Sequence, residues 1–127
     1  MSALVIDANI LIDVFRGNEA ARLVLATANR AGDELWSSTI VRVEVLGAMR
    51  APEVDATQAL LGMLSWLPVT TEIADAAAGF ARRYRSSHSG IDAGDYIVAA
   101  TADHIGARLM TRNIRHFPMF EGLETPY

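Results

Sequence analysis

The strongest constraint on the fold is an alternation of short apolar runs with longer segments of helical periodicity. Residues 3–6 form a continuous apolar run, Ala-Leu-Val-Ile, which is typical of a strand buried on both faces. Further runs predict strands at 35–37, 67–69 and 108–111 and a marginal one at 123–125. The intervening segments predict helices at 10–15, 18–31, 38–50, 52–65, 71–85 and 92–105. Alternating strands and helices predict an α/β fold with a central parallel sheet of four to five short strands flanked by helices.

The length and composition of the chain indicate one ordinary globular domain. Its 127 residues contain no repeat, low-complexity tract or linker, so we expect a single domain over 1–127. The absence of cysteine excludes disulfides, thiolate nucleophiles and iron–sulfur clusters, and it fits a reducing, cytoplasmic location. No basic stretch precedes an apolar run at the start, and no apolar run approaches about 18 residues. We therefore expect neither a signal peptide nor contact with a membrane.

The charged residues exclude several classes of function. All eleven basic residues are arginine, and the missing lysine excludes the phosphate-binding Walker loop. The net charge of −4 argues against non-specific binding to long nucleic acids, where neutralisation of phosphates dominates. The balance is uneven, since residues 80–127 carry six arginines against five acids, whereas residues 1–79 carry five against ten. The apolar content of 51% fits either an alanine-rich core or an apolar surface that meets a partner.

Two acidic residues stand where a purely structural role is least expected. Asp7 follows the first strand, at the carboxyl edge of the sheet where open α/β folds bind ligands, although Asp7 or Asn9 could simply cap the next helix. Glu44 falls between Ile40 and Ala48 on the apolar face of its predicted helix. A carboxylate there needs a cation, because burying it unpaired is costly. That cation is either a metal ion or one of the arginines.

The last third of the chain holds two more polar groups of interest. Asp92 and Asp95 lie three residues apart at the start of a predicted helix, where they could form a capping box or hold a divalent ion. Thr111 and Asn113 flank Arg112 after the fourth predicted strand. Their side chains could contact metal-bound water or phosphate, or they could be turn residues.

Taken together, these segments resemble the PIN-domain nucleases, and among them the VapC-type toxins of bacterial toxin–antitoxin pairs. The resemblance covers residues 4–117, with four blocks in the family's order. The blocks are Val-Ile-Asp-Ala-Asn-Ile-Leu-Ile-Asp, Val-Arg-Val-Glu-Val-Leu, Asp-Tyr-Ile-Val-Ala-Ala-Thr-Ala and Leu-Met-Thr-Arg-Asn-Ile-Arg-His-Phe. Each block alone is weak, but the set is specific.

The resemblance implies an acidic pocket formed by Asp7, Glu44 and Asp95 that serves as the catalytic site and holds Mg²⁺ or Mn²⁺. These are hard cations that prefer oxygen ligands. Asn113 stands where many relatives carry a fourth acid, so a second ion is expected to bind firmly only when substrate phosphate is present. Asp92 could supply a substitute charge.

The resemblance also implies the surroundings of the site and its partners. Asn9 and Thr111 match polar positions that support the pocket, and Arg112 and Arg115 are candidates for binding RNA. The expected function is the toxin of a type II toxin–antitoxin pair, a metal-dependent endoribonuclease that forms a homodimer and is inhibited by a VapB-like antitoxin. Two alternatives remain open, a housekeeping PIN nuclease without an antitoxin and a non-catalytic binding module with a degenerate pocket. Receiver and haloacid-type phosphotransfer domains are excluded because they need a lysine.

Overall fold

A computed structural model of the protein describes residues 2–127 and shows a four-stranded, entirely parallel sheet between helices. The strands are β1 (Ala3–Ile6), β2 (Glu34–Ser38), β3 (Ser65–Leu67) and β4 (Arg108–Met110). Their order across the sheet is β3-β2-β1-β4. The expected α/β class and parallel sheet are therefore confirmed.

Six α-helices and two short 3-10 helices connect the strands. The α-helices are α1 (Ala8–Phe15), α2 (Glu19–Arg30), α3 (Thr39–Ala48), α4 (Val54–Leu61), α5 (Thr71–Tyr84) and α6 (Ala93–Ile105), and the 3-10 helices are Ala51–Glu53 and Ile114–His116. Five of the α-helices begin at a side chain that accepts a hydrogen bond from a backbone N–H of the first turn: Asp7, Asn18, Ser38, Thr70 and Asp92. The last helix ends at Gly106, whose φ of 64° is a left-handed conformation that suits glycine.

The central strand β1 positions Asp7 at the carboxyl edge of the sheet. Val5 and Ile6 are fully buried between the two helical layers, which is why an uninterrupted apolar run is required there. Because all strands are parallel, their carboxyl ends lie at one edge of the sheet. The backbone N–H of Asp7 donates to the carbonyl of Met110 at 2.9 Å, which brings the ends of β1 and β4 together.

The structure corrects the sequence prediction at three places. The expected fifth strand at 123–125 is irregular, and the chain end is instead attached by the Tyr127 hydroxyl, which donates to Asp13. The third strand lies at 65–67 and not at 67–69, because its pairing with β2 requires Ser65 opposite Trp36. The helix expected over 52–65 spans Val54–Leu61, because it ends at Gly62 and residues 62–64 form the turn that leads into β3.

Among residues 2–127, no helix has the length and apolar character needed to cross a membrane.

Candidate active site

Asp7 lies at the junction of β1 and α1 and is almost completely buried, with 5% of its surface exposed. Its carboxylate accepts three hydrogen bonds, from the Ala8 backbone at 2.8 Å, the Asn9 amide at 3.1 Å and the Thr111 hydroxyl at 2.8 Å. Burial raises the pKa of Asp7 despite these hydrogen bonds, which act in the opposite direction. Asp7 therefore caps α1, as considered from the sequence. Two of its three hydrogen-bond donors, however, are the side chains of Asn9 and Thr111 at the pocket.

Asn9 and Thr111 hold Asp7 in place and join the ends of β1 and β4. Thr111 is fully buried, and its hydroxyl accepts from the Asn9 amide at 3.1 Å and from the Asn113 backbone at 3.0 Å. The Asn9 side-chain oxygen accepts in turn from the Arg112 backbone at 3.0 Å. Each of these groups has more than one partner, so the orientation of the Asp7 carboxylate is fixed before any ligand binds.

Glu44 projects from α3 toward the first turn of α6. A Cβ atom added to Gly94 would lie 3.2 Å from Glu44 Oε1 and 3.3 Å from Asp92 Oδ1, so the two carboxylates face each other across this glycine. Within residues 2–127, Glu44 forms no ion pair, which rules out the arginine partner considered from the sequence. Desolvation, followed by the negative charges of Asp7, Asp92 and Asp95, raises the pKa of Glu44 to about 7.

Asp92 and Asp95 form the capping box that their spacing allows. Asp92 Oδ1 accepts from the Asp95 backbone at 2.9 Å, and Asp95 Oδ2 accepts from the Asp92 backbone at 3.2 Å. This exchange does not prevent a second role, because desolvation and the charges of neighbouring acids raise the pKa of Asp95 to about 6. Its side chain is mostly buried, with 16% exposed.

His116 is the residue at this site that the sequence interpretation missed. Its Nδ1 lies 3.0 Å from Asp95 Oδ2, yet this buried nitrogen makes no hydrogen bond of acceptable geometry. The positive charge of protonated His116 lowers the pKa of both Asp7 and Asp95 and opposes the effect of burial. His116 belongs to the fourth block of the family resemblance, three residues after Asn113, and that position is the signal that could have found it.

The remaining predicted residues differ in whether their side chains already contact other parts of the protein. Arg112 binds Asp13 at 3.0 Å, and its guanidinium lies 5.1 Å from the centre of the Tyr127 ring, so it is engaged within the protein. Arg115 and Asn113 are exposed, and Asn113 does not cap the helix it precedes. A role in RNA binding stays a prediction for both arginines, and the structure leaves Arg115 the freer of the two.

The donor set matches a hard divalent cation in its chemistry. Asp7, Glu44, Asp92 and Asp95 supply carboxylate oxygens, and desolvation raises the pKa of Asp7, Glu44 and Asp95. Within the described part of the chain, however, no three acidic or histidine side chains are close enough together to hold a metal as they stand. An ion bound here must therefore draw the carboxylates inward.

The fold and the acidic edge of the sheet define a PIN domain, and a sequence model of that family matches residues 4–120. The chain therefore belongs to the PIN-domain family. Within it, the chain is 46% identical to Ribonuclease VapC19 of Mycobacterium tuberculosis, over 96% of this chain and 98% of that protein. It is 41% identical to Ribonuclease VapC10 of the same organism, over 98% and 92% of the two chains.

Solved structures show the same similarity. The chain superimposes on a toxin–antitoxin complex from Klebsiella pneumoniae with a TM-score of 0.76 and 28% identity, covering 98% of each chain. The VapBC complex of Salmonella typhimurium bound to DNA, at 18% identity and a TM-score of 0.78 over 98% and 97% of the chains, supports the fold. The resemblance inferred from the sequence, including its nuclease class, is confirmed, and nucleases of this kind depend on a metal ion.

Proposed function

We propose that the protein is the toxin of a type II toxin–antitoxin pair and cleaves RNA internally with Mg²⁺ or Mn²⁺ bound by Asp7, Glu44 and Asp95. One observation carries the proposal. Carboxylates from three separate elements lie near one another at the carboxyl edge of the sheet, and desolvation, together with the negative charges of neighbouring acids, raises the pKa of Glu44 to about 7 and that of Asp95 to about 6. Groups with perturbed pKa values at such an edge are typical of functional sites.

The three acids of the proposed site differ in how firmly the protein holds them. Asn9 and Thr111 fix the Asp7 carboxylate, and the Asp92 backbone fixes Asp95, so these two acids form a rigid base. Glu44 is exposed and makes no hydrogen bond to another residue of the described range 2–127, so it is the acid free to close on an ion. A bound divalent cation would activate water for attack on a phosphodiester and offset charge at the leaving oxygen.

The cleavage test uses a panel of transfer RNAs and ribosomal RNA fragments incubated with Mg²⁺ or Mn²⁺. Wild-type protein should cut RNA only when the metal is present, and Asp95→Asn should abolish cutting. Asp103→Asn is the matched control, since it removes an exposed acid from the other end of the same helix. Cleavage that survives in Asp95→Asn, with contaminating nuclease excluded, would refute the site assignment. The absence of any cleavage by wild type would favour a binding module.

The proposed partners are a VapB-like antitoxin and a second copy of the chain, with RNA as substrate and the cytoplasm as location. Relatives in antitoxin complexes support the first, as does the pocket, because an arginine or lysine of a partner peptide could occupy it in place of a metal. Four large apolar side chains of the first half are exposed and could receive an apolar helix of the same peptide: Leu23, Val43, Val54 and Met63.

Purification from the native host under mild conditions tests the partner proposal. A small protein should co-purify and suppress cleavage, and activity should return when that protein is proteolysed. An active chain that purifies alone would instead favour a housekeeping nuclease.

A further inference from the structure

Three arginines at the end of α5 have no acidic partner. Arg82 and Arg83 occupy its last turn and Arg85 follows it; we call these three residues the α5 arginine cluster. All three are exposed, and none forms an ion pair within residues 2–127. Other arginines also lack an ion pair there, but these three differ in lying within four residues of one another: the others are Arg30, Arg42, Arg50, Arg108 and Arg115. A helix C-terminus favours positive charge, which accounts for one or two arginines in the last turn. The helix dipole accounts for their sign, but it leaves three cations without an ion pair among residues 2–127 together on one short exposed segment.

The α5 arginine cluster lies at the same end of the α5–α6 helix pair as Asp92 and Asp95. Helices α5 and α6 run antiparallel, because Glu72 at the start of α5 lies 3.8 Å from His104 at the end of α6. At the other end of this helix pair, the last turn of α5 therefore lies near the first turn of α6. There Arg85 lines a shallow, alanine-rich groove of about 210 Å³ together with Ala93 of α6, on a different face of α6 from the one that turns Gly94 toward Glu44.

The local environment of the cluster favours a planar, polyanionic ligand. The Arg83 guanidinium lies 5.2 Å from the centre of the Tyr84 ring, and this ring meets His88 edge-on at 5.6 Å. Stacked guanidinium and aromatic groups are typical of surfaces that bind single-stranded nucleic acid. The forked guanidinium also matches phosphate oxygens in pairs, so it binds a phosphate better than a point charge would.

An RNA substrate of the acidic pocket needs a positively charged surface near that pocket. Four carboxylates repel the phosphates of RNA, and a bound cation offsets this at the cleaved phosphate alone. Neighbouring phosphates must be held by other positive groups. Arg112 is already engaged with Asp13 and Tyr127, whereas the exposed Arg115 remains a further candidate for such contacts.

We propose that the α5 arginine cluster binds the backbone phosphates of single-stranded RNA on the α6 side of the acidic pocket. The inference rests on the proposed ribonuclease function and adds to it the surface that holds the strand. Because the contacts are to phosphates, they contribute affinity for any sequence and do not select the cleavage site.

Binding of a labelled single-stranded RNA, followed by fluorescence anisotropy in EDTA so that no cleavage occurs, tests the proposal. The variant is the double substitution Arg82→Gln with Arg85→Gln. The matched control is Arg30→Gln with Arg108→Gln, which removes the same charge from exposed positions at the end of α2 and the start of β4. Melting curves verify that both variants are folded.

The expected result is about tenfold weaker binding by the α5 variant, with the slope of log K against log salt reduced by about 1.4, or 0.7 for each lost phosphate contact. The control should bind as wild type does. Equal losses in both variants would overturn the inference, since only net charge would matter. A poly-glutamate peptide that binds the cluster more tightly than RNA would also overturn it and indicate an acidic protein partner. If wild type binds and cleaves RNA but the α5 variant binds normally, the inference fails while the proposed function stands. If wild type neither binds nor cleaves RNA, both the inference and the proposed function fail.

Discussion

Removing the charge of Glu44 should stabilise the metal-free protein, although it removes a proposed metal ligand. Among residues 2–127 Glu44 has no cationic partner; it is partly desolvated, and the negative charges of Asp7, Asp92 and Asp95 lie nearby. Its ionised form is therefore disfavoured in the folded state relative to the unfolded chain. In Glu44→Gln, a neutral side chain of the same shape replaces it, and both the desolvation cost of the charge and the repulsion disappear.

The size of the effect follows from the pKa. A rise from 4.5 to about 7 sets an upper limit of roughly 3 kcal/mol, at ~1.36 kcal/mol per unit. Because the residue is exposed, solvent screening reduces this to about 1 kcal/mol. For a domain of this size, that corresponds to an increase in Tm of about 3–5 °C.

The gain should depend on pH in a defined direction. A group whose pKa is raised by folding binds more protons in the folded state, so the stability of wild type falls as the pH rises from about 4.5 to about 7. The glutamine variant lacks this contribution. The difference between the two proteins should therefore be small at pH 4, grow through this interval and be complete at pH 8.

Thermal melts in EDTA at pH 4, 6 and 8 measure this difference, with Glu121→Gln as a control for an exposed acid away from the pocket. Added Mn²⁺ should then raise the Tm of wild type more than that of Glu44→Gln. A large, metal-independent loss of stability in the variant would refute the reasoning, because it would mean that Glu44 satisfies a buried cation after all.

Three further substitutions give distinct outcomes. Asp7→Asn should lower the free energy of unfolding by about 1–3 kcal/mol, because an amide cannot accept all three hydrogen bonds that the carboxylate accepts; a higher Tm in EDTA would contradict this. Gly94→Ala should weaken Mn²⁺ binding measured by calorimetry, since the new Cβ would lie 3.2 Å from Glu44 Oε1, whereas Gly47→Ala, with nothing within 4 Å, should leave it unchanged. Equal metal affinities in these two variants would show that the position of Glu44 does not matter. Asn113→Asp should tighten metal binding by adding a charged ligand, and two tight sites in wild type without RNA would argue against the role given to Asn113.

Some elements of the structure are determined by residues that lie close together in the sequence. The buried strand β1, the caps at Asn18, Thr70 and Asp92 and the end of α6 at Gly106 all follow from groups within a few residues of one another. The acidic residues of the pocket could also be named, because their motifs resemble a known family. The capping box of Asp92 and Asp95 is local as well, which is why its hydrogen bonds could be foreseen.

Contacts between distant parts of the chain decided the rest. Strand β3 is placed by its partner β2, and residues 123–125 have no partner strand, so apolar patterning misplaced the first and wrongly added the second. Arg112 reads as a free cation in the sequence, but its guanidinium pairs with Asp13, 99 positions away. His116 gains its place beside Asp95 only because β4 packs against β1. A side chain's partner depends on which segments the tertiary fold brings together, and no short-range pattern encodes that.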